Sequence, residues 1–264
     1  MSFLLALLVL NLVVLVHEYG HYLAMRRCGV RVIEFTIGFG PVLWSRRLKN
    51  GTMFLVKPIL LGGYTKPVTG DQEGSVECVG RWQKAFIFAA GMFANVIIAI
   101  PALAIAFSAK GAYPAIVAWA VWWAPWWLKG TLAAVVVSLE VWLASPILIA
   151  GMLLSPQTIL DNAAGPVGIV VLGNQIIQQD PGLWMRAANA LQFFGIINVA
   201  LAGFNLVPFY PLDGGRLMEL LVERLGWRAV AAFRYAGVAL FLAFVLLAFA
   251  SDGVRVFRLF AGHF

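Results

Sequence analysis

The chain has 264 residues, of which 62% are hydrophobic and only 12% charged, with a mean hydropathy of +0.88. Such a composition excludes an ordinary soluble domain and places the chain among polytopic membrane proteins, as one membrane-embedded domain over residues 1–264. The net charge of +7 comes mainly from basic residues in loops beside apolar spans, where membrane orientation accounts for them, so nucleic acid is set aside as a partner.

Residues 3–23 form the first predicted span, long enough for the hydrocarbon layer. The segment lacks a positively charged start and no small-x-small cleavage site follows, so it is expected to be retained rather than removed as a signal peptide. Near its end stands His17-Glu18-Tyr19-Gly20-His21. Two imidazoles four residues apart share one face of a helix and can grip one zinc, with Glu18 between them placed for proton transfer. Ionisable groups at membrane depth are costly enough to point to function, which argues against two histidines that merely pack or cap.

The region 31–69 reads as β structure. Asn50-Gly51 lies between apolar runs and predicts a two-residue turn with positive φ at both positions, joining strands over 42–48 and 52–59, with 32–37 as a third strand. Gly38, Gly40, Gly62 and Gly63 are expected at sharp bends. The apolar content of this region predicts that it dips into the membrane, where surrounding protein shields its backbone. Cys28 and Cys78 match no zinc-ribbon spacing and are expected to be packing thiols rather than a disulfide or metal pair.

Further clear spans are predicted at 85–108, roughly 187–207, and 235–250. Ten Lys or Arg lie between Arg26 and Lys84 and four between Arg216 and Arg234, against Lys110, Lys129 and Arg186 between the second and third spans. The positive-inside bias therefore puts both basic loops in the cytoplasm and both termini outside. The apolar stretch 112–154, interrupted at Pro114, Pro125, Lys129, Glu140 and Pro146, must preserve that parity. It is expected to be a two-span hairpin or, given Trp119, Trp122, Trp123, Trp126, Trp127 and Trp142, a pair of helices in or on the outer leaflet.

A zinc held by two imidazoles needs a third protein ligand and an open position. His263 belongs to the outer tail, on the wrong side, which leaves a carboxylate. Asp213 is the best candidate, because Pro208 and Pro211 break the preceding helix and Gly214-Gly215 permit a tight return. Alternatively Asp213 only caps the helix that follows, and Glu219 or Glu223 supplies the ligand.

The chain resembles the site-2 protease family of intramembrane zinc metalloproteases. The resemblance rests on His17-Glu18-x-x-His21 and on Asn205-x-x-Pro208-x-x-x-Leu212-Asp213-Gly214. It extends to Phe35-Thr36-Ile37-Gly38-Phe39-Gly40, Leu61-Gly62-Gly63-Tyr64, Gly91-x-x-Ala94-Asn95 and Gly165-Pro166-Val167-Gly168, particularly as found in the bacterial branch that cleaves membrane-bound anti-sigma factors. It implies one Zn2+ held by His17, His21 and Asp213, Glu18 as general base, and Asn205 holding substrate or stabilising charge at the reacting carbonyl. It further implies Asn95, Gly62, Gly63 and Tyr64 as substrate-binding residues, with the re-entrant β region adding the substrate as a strand.

The implied fold is an α-helical membrane protein of about four core spans. A small re-entrant sheet follows the first span, and extra apolar helices lie between the second and third. The implied setting is a bacterial inner membrane, with the lipid bilayer and transmembrane proteins or peptides as partners. Met92 stands where the family usually has Pro, and the stretch 112–154 is too short and apolar for the PDZ domains of related members. The competing class is a non-proteolytic metal-binding membrane protein, a transporter or an inactive scaffold. The absence of a sequence repeat and the retention of Glu18, both His and Asp213 speak against it.

Overall fold

The computed structural model describes residues 2–70, 72–154 and 165–261. His263 lies outside them. Helix α1 (Ser2–Arg27) is followed by strands β1 (Val32–Phe39), β2 (Trp44–Arg47), β3 (Met53–Val56) and β4 (Ile59–Pro67). Then come α2 (Arg81–Lys110), a short α3 (Ala115–Ala120), α4 (Trp126–Leu154), α5 (Pro166–Gln178), α6 (Leu183–Asn205), α7 (Asp213–Val222) and α8 (Trp227–Ala261). Among the described residues five helices, α1, α2, α4, α6 and α8, are long and apolar enough to cross a membrane.

Helices α1, α2 and α6 form the centre of the molecule. Small residues set the spacing: Gly20 of α1 abuts the Ala90 carbonyl and Ala94 of α2, and Gly195 of α6 abuts Leu103 of α2. Removing side chains at these crossings brings backbones together and replaces lipid contact with helix contact. Ala99, Leu103 and Phe107 of α2 then bury against Val199 of α6 and Ala133 and Ala134 of α4.

Residues 112–154 do not form two helices each long enough to span a membrane. They contain the six-residue α3 and the single unbroken 29-residue α4, which runs through Lys129, Glu140 and Pro146. In an apolar helix neighbouring groups compensate for the bond a proline removes, here the one to the Trp142 carbonyl; the preceding Ser145 turns its hydroxyl back to the Val141 carbonyl at 2.5 Å. Helix α4 is antiparallel to α2, since Gly130 meets Ser108 and Ala104 while Trp142 meets Phe93 with ring centroids 5.7 Å apart. The exposed Trp119, Trp122, Trp123, Trp126 and Trp127 gather at α3, the turn after it and the first turn of α4.

Helix α5 packs Val170 and Ile177 against Ala6, Val9 and Val13 of α1. Its start is held from a distance. The Asp252 carboxylate of α8 accepts hydrogen bonds from the backbone amides of Gly165 (3.1 Å), Val167 (3.0 Å) and Gly168 (3.0 Å). These are amides that a helix N-terminus leaves without partners of its own.

The sheet has the order β2-β3-β1-β4, with β1 parallel to β3 and antiparallel to β4, and β2 antiparallel to β3. The three expected strands are present. The turn between β2 and β3 differs from the expected two-residue form. Leu48 and Thr52 pair through Leu48 N to Thr52 O at 2.8 Å, and Gly51 N donates to Leu48 O at 2.9 Å. Within the turn only Gly51 has positive φ, at 88°; Asn50 does not. This is a three-residue loop closed by a left-handed glycine. Asn50 stays out of the left-handed region because its side chain is engaged: Oδ1 accepts from Thr52 N (3.1 Å) and Nδ2 donates to the Tyr22 hydroxyl of α1 (2.6 Å).

Gly62 and Gly63 lie inside β4, a fourth strand, rather than at bends. A Cβ at Gly63 would stand 2.5 Å from the Thr36 carbonyl of β1, so the strand pairing itself requires the missing side chain. An aromatic seam docks the sheet onto α1, with Tyr22 to Phe35 at 5.4 Å and Phe35 to Phe54 at 5.8 Å between centroids.

Candidate metal centre

His17 and His21 project from one face of α1 toward α2, as their four-residue spacing dictates. Both are buried, at 7% and 8% exposure. Space for the two rings comes from Gly91 of α2. A Cβ there would stand 2.7 Å from His17 Cε1 and 2.9 Å from its Nδ1, and would also collide with His21 Nε2. One turn nearer the N-terminus of α2, the Ile87 carbonyl lies 2.8 Å from His21 Nδ1. A carbonyl can only accept, so His21 carries its proton on Nδ1 and presents the Nε2 lone pair inward.

Asp213 arrives from the other half of the chain. The α6 helix ends at Asn205, and residues 206–212 turn sharply before α7 starts at Asp213. Gly214 packs on the Leu206 and Val207 carbonyls and Gly215 on the Phe209–Tyr210 peptide, closer than any Cβ would allow. Val207, Phe209 and Leu212 anchor the turn in a buried cluster with Ile149 of α4. Asp213 opens α7 without making a side-chain cap. Its Oδ2 instead lies 3.0 Å from Nε2 of both histidines, and the two Nε2 atoms are 3.1 Å apart.

Among the described residues these three form the group able to hold a metal ion. Glu219, the alternative carboxylate, pairs with Arg234 at 2.9 Å, and Glu223 is exposed. The donor set fits zinc. Two imidazole nitrogens and one carboxylate oxygen make a nearly equilateral triangle of lone pairs, slightly inside the about 3.3 Å edge that metal–nitrogen bonds of roughly 2.0–2.1 Å give in a tetrahedron. Without a cation, three such groups buried together would have too few protons to satisfy one another.

Glu18 is half-buried beside His17. Its backbone carbonyl accepts a hydrogen bond from the Thr65 hydroxyl of β4 at 3.0 Å, so the fourth strand is fastened to the motif at that residue. Asn205 is partly buried and donates through Nδ2 to the Leu201 carbonyl at 3.0 Å. Gly62 and Gly63 lie in β4. Tyr64 is half-buried, its hydroxyl donating to Glu34 Oε2 (2.9 Å) and accepting from Lys57 Nζ (3.2 Å). Asn95 is fully buried, and neither amide atom has a hydrogen-bond partner. No exposed surface of Asn95 is available to a substrate. Cys28 and Cys78 are both free, and burial pushes the Cys28 thiol up, which disfavours the thiolate a metal would need.

Sequence reasoning missed two supports. The Ile87 carbonyl is a main-chain group 66 residues from His21, with no side-chain signal. Asp252 could have been singled out as an isolated carboxylate at the end of an apolar span.

A family model described as Peptidase family M50 matches residues 5–249. Shorter stretches match curated relatives. The regulator of sigma-E protease RseP of Escherichia coli (strain K12) is 46% identical over 109 residues, 38% of this chain and 23% of that protein. The regulator of sigma E protease of Haemophilus influenzae is 44% identical over 107 residues, 38% and 24%. RseP of Salmonella typhimurium is 41% identical over 102 residues, 36% and 23%. The aligned part thus spans about a quarter of the length of these relatives. With a family model covering nearly the whole chain, over a fold that joins its histidine pair and distal aspartate at one point, the chain belongs to peptidase family M50.

Proposed function

We infer that the chain is a zinc-dependent endopeptidase that cuts peptide bonds in or beside transmembrane segments of other proteins. The observation that carries this reading is the meeting of His17, His21 and Asp213 within a cluster of apolar helices, with Glu18 adjoining. Family membership and the names of the relatives, regulators of sigma-E protease, support membrane-bound anti-sigma factors as the substrate class.

His17, His21 and Asp213 would hold the zinc. When bound, zinc supplies Lewis-acid polarisation of a carbonyl and acidifies water. Glu18 takes a proton from the attacking water and returns it to the departing amine nitrogen as the C–N bond breaks, leaving a carboxylate and an amine. The Asn205 amide nitrogen has two protons and spends one on Leu201. The second serves to stabilise negative charge on the reacting carbonyl oxygen.

A transmembrane helix hides its carbonyls in internal hydrogen bonds and must unwind before cleavage. Strand β4 stands at an edge of the sheet and is tied to Glu18 through Thr65. Its free edge offers main-chain hydrogen bonds to an unwound segment, and Gly62, Gly63 and Tyr64 line that strand.

In the membrane, the basic residues at the Arg27, Arg81 and Arg216 ends of α1, α2 and α7 support a metal centre toward the cytoplasm. With α4 as an added span, both termini outside requires the chain to recross between α4 and α6, a stretch whose one described helix is the 13-residue α5.

Purified protein in detergent, incubated with a transmembrane substrate bearing Gly or Pro in its span, tests this reading. Zinc-dependent cleavage that disappears in Glu18→Gln supports it. Equal cleavage by that variant overturns it. Failure of the zinc-loaded wild type on a panel of such substrates favours a non-proteolytic metal protein.

A further inference from the structure

The two histidines are supported unequally. His21 has its Nδ1 proton fixed by the Ile87 carbonyl. His17 turns Nε2 to the same point, 3.0 Å from Asp213 Oδ2 and 3.1 Å from His21 Nε2. For Nε2 to donate its lone pair to a cation, the proton of neutral His17 must sit on Nδ1. That nitrogen is buried and has no hydrogen-bond partner. A metal-bound imidazole ordinarily donates this proton to an acceptor that fixes the tautomer and ring orientation.

The facing helix holds a complementary orphan. Asn95 is 0% exposed and both its amide oxygen and amide nitrogen are unpartnered. It stands one turn beyond Gly91 on the same stripe of α2, the stripe that meets α1 through Ala90, Gly91 and Ala94. Side chains on a helix tilt toward its N-terminus, so Asn95 leans back over Gly91. Helix α1 is antiparallel to α2, since Gly20 meets Ala90 and Ala94 while His21 meets Ile87. The His17 ring therefore leans the opposite way, toward the turn that Asn95 covers. Gly91 leaves no side chain between them, and its Cα–H side lies against His17 Nδ1.

We propose that Asn95 is the positioning residue of the metal centre. Its amide oxygen accepts the His17 Nδ1 proton, directly after a small side-chain rotation or through one buried water, and so holds Nε2 toward the metal. A donor and an acceptor that would each remain unpaired in the helix interior satisfy one another, which removes two desolvation penalties. Asn95 thereby acts on His17 in the way that Ile87 acts on His21. The inference rests on the zinc site proposed above and goes further in assigning the residue that orients one of its ligands.

The test compares Asn95→Leu and Asn95→Asp with the wild type as purified full chains in detergent. Two quantities are read: zinc affinity, by competition with a chelator, and thermal unfolding of the zinc-free protein. Leu keeps the volume and removes the acceptor, so zinc should bind about 10- to 100-fold more weakly. The zinc-free form should lose little stability, because without a metal His17 can carry its proton on Nε2 and donate it to Asp213, 3.0 Å away. Asp keeps an acceptor oxygen and should hold zinc within about threefold of wild type, as carboxylate–histidine–metal arrangements do. Unchanged zinc affinity in Asn95→Leu overturns the proposal. So does weaker binding that parallels a loss of zinc-free stability and is not rescued by Asp, since that pattern marks a packing residue. Absence of zinc binding in the wild type overturns the metal centre itself, and this inference with it.

Discussion

His21 donates its Nδ1 proton to the carbonyl of Ile87, 2.8 Å away on the neighbouring helix. A main-chain acceptor cannot be mutated away and moves only with α2. The orientation of a metal-ligating ring is therefore tied to the packing distance between α1 and α2, and that distance is set by Gly20 and Gly91.

Gly91→Ala tests this coupling. The added methyl would overlap both imidazole rings, and with α1 and α2 already in contact the overlap is relieved only by displacing the rings or the helices. Overpacking of this kind costs about 1–3 kcal/mol. Zinc content should fall well below that of wild type and the thermal transition should drop, both measured on the same purified sample.

Glu18→Gln separates chemistry from metal binding. Glu18 is not among the converging ligand atoms, so the variant should retain its zinc. Loss of the proton acceptor should slow peptide cleavage by about 10²–10⁴-fold, read in a single-turnover assay on a transmembrane substrate.

Substrate helicity should govern the rate. Because β4 offers main-chain hydrogen bonds only to an unwound segment, a span containing Gly, Pro or Asn should be cut faster than a matched poly-Leu span. Equal rates on the pair, at equal membrane insertion, would discard the unwinding step.

Asp252→Ala removes the acceptor for three amides at the start of α5. Left unpaired among apolar helices, these amides should lower stability by about 1–3 kcal/mol, seen as an earlier thermal transition. The zinc ligands lie on α1 and α7, so zinc stoichiometry should be unchanged. Loss of zinc together with stability would show that α5 braces the metal centre through α1.

The metal site was legible in the sequence because its chemistry is local. His17 and His21 share a helix face through their spacing, and Asp213 stands between helix-breaking prolines and a glycine pair. The first, second, third and final spans could likewise be read from apolar length. What escaped depended on partners far along the chain. The Asn50-Gly51 turn took a three-residue form because Asn50 is held by Tyr22 of α1, a contact no local turn signal contains. Residues 112–154 held one long helix because Pro146, a breaker in water, is tolerated in an apolar helix. Gly62 and Gly63 looked like bend residues, yet they permit the close pairing of β4 on β1. Asn95 carried a motif resemblance that pointed to substrate, whereas its burial directs it to the interior.

The central claim is a single zinc held by two residues of α1 and one of α7. Zinc per protein should be measured by elemental analysis on the purified wild type beside His21→Ala and Asp213→Ala. Close to one zinc in the wild type, and much less in each variant, is the expected result. No zinc in the wild type, or retention unaffected by either substitution, would contradict the account.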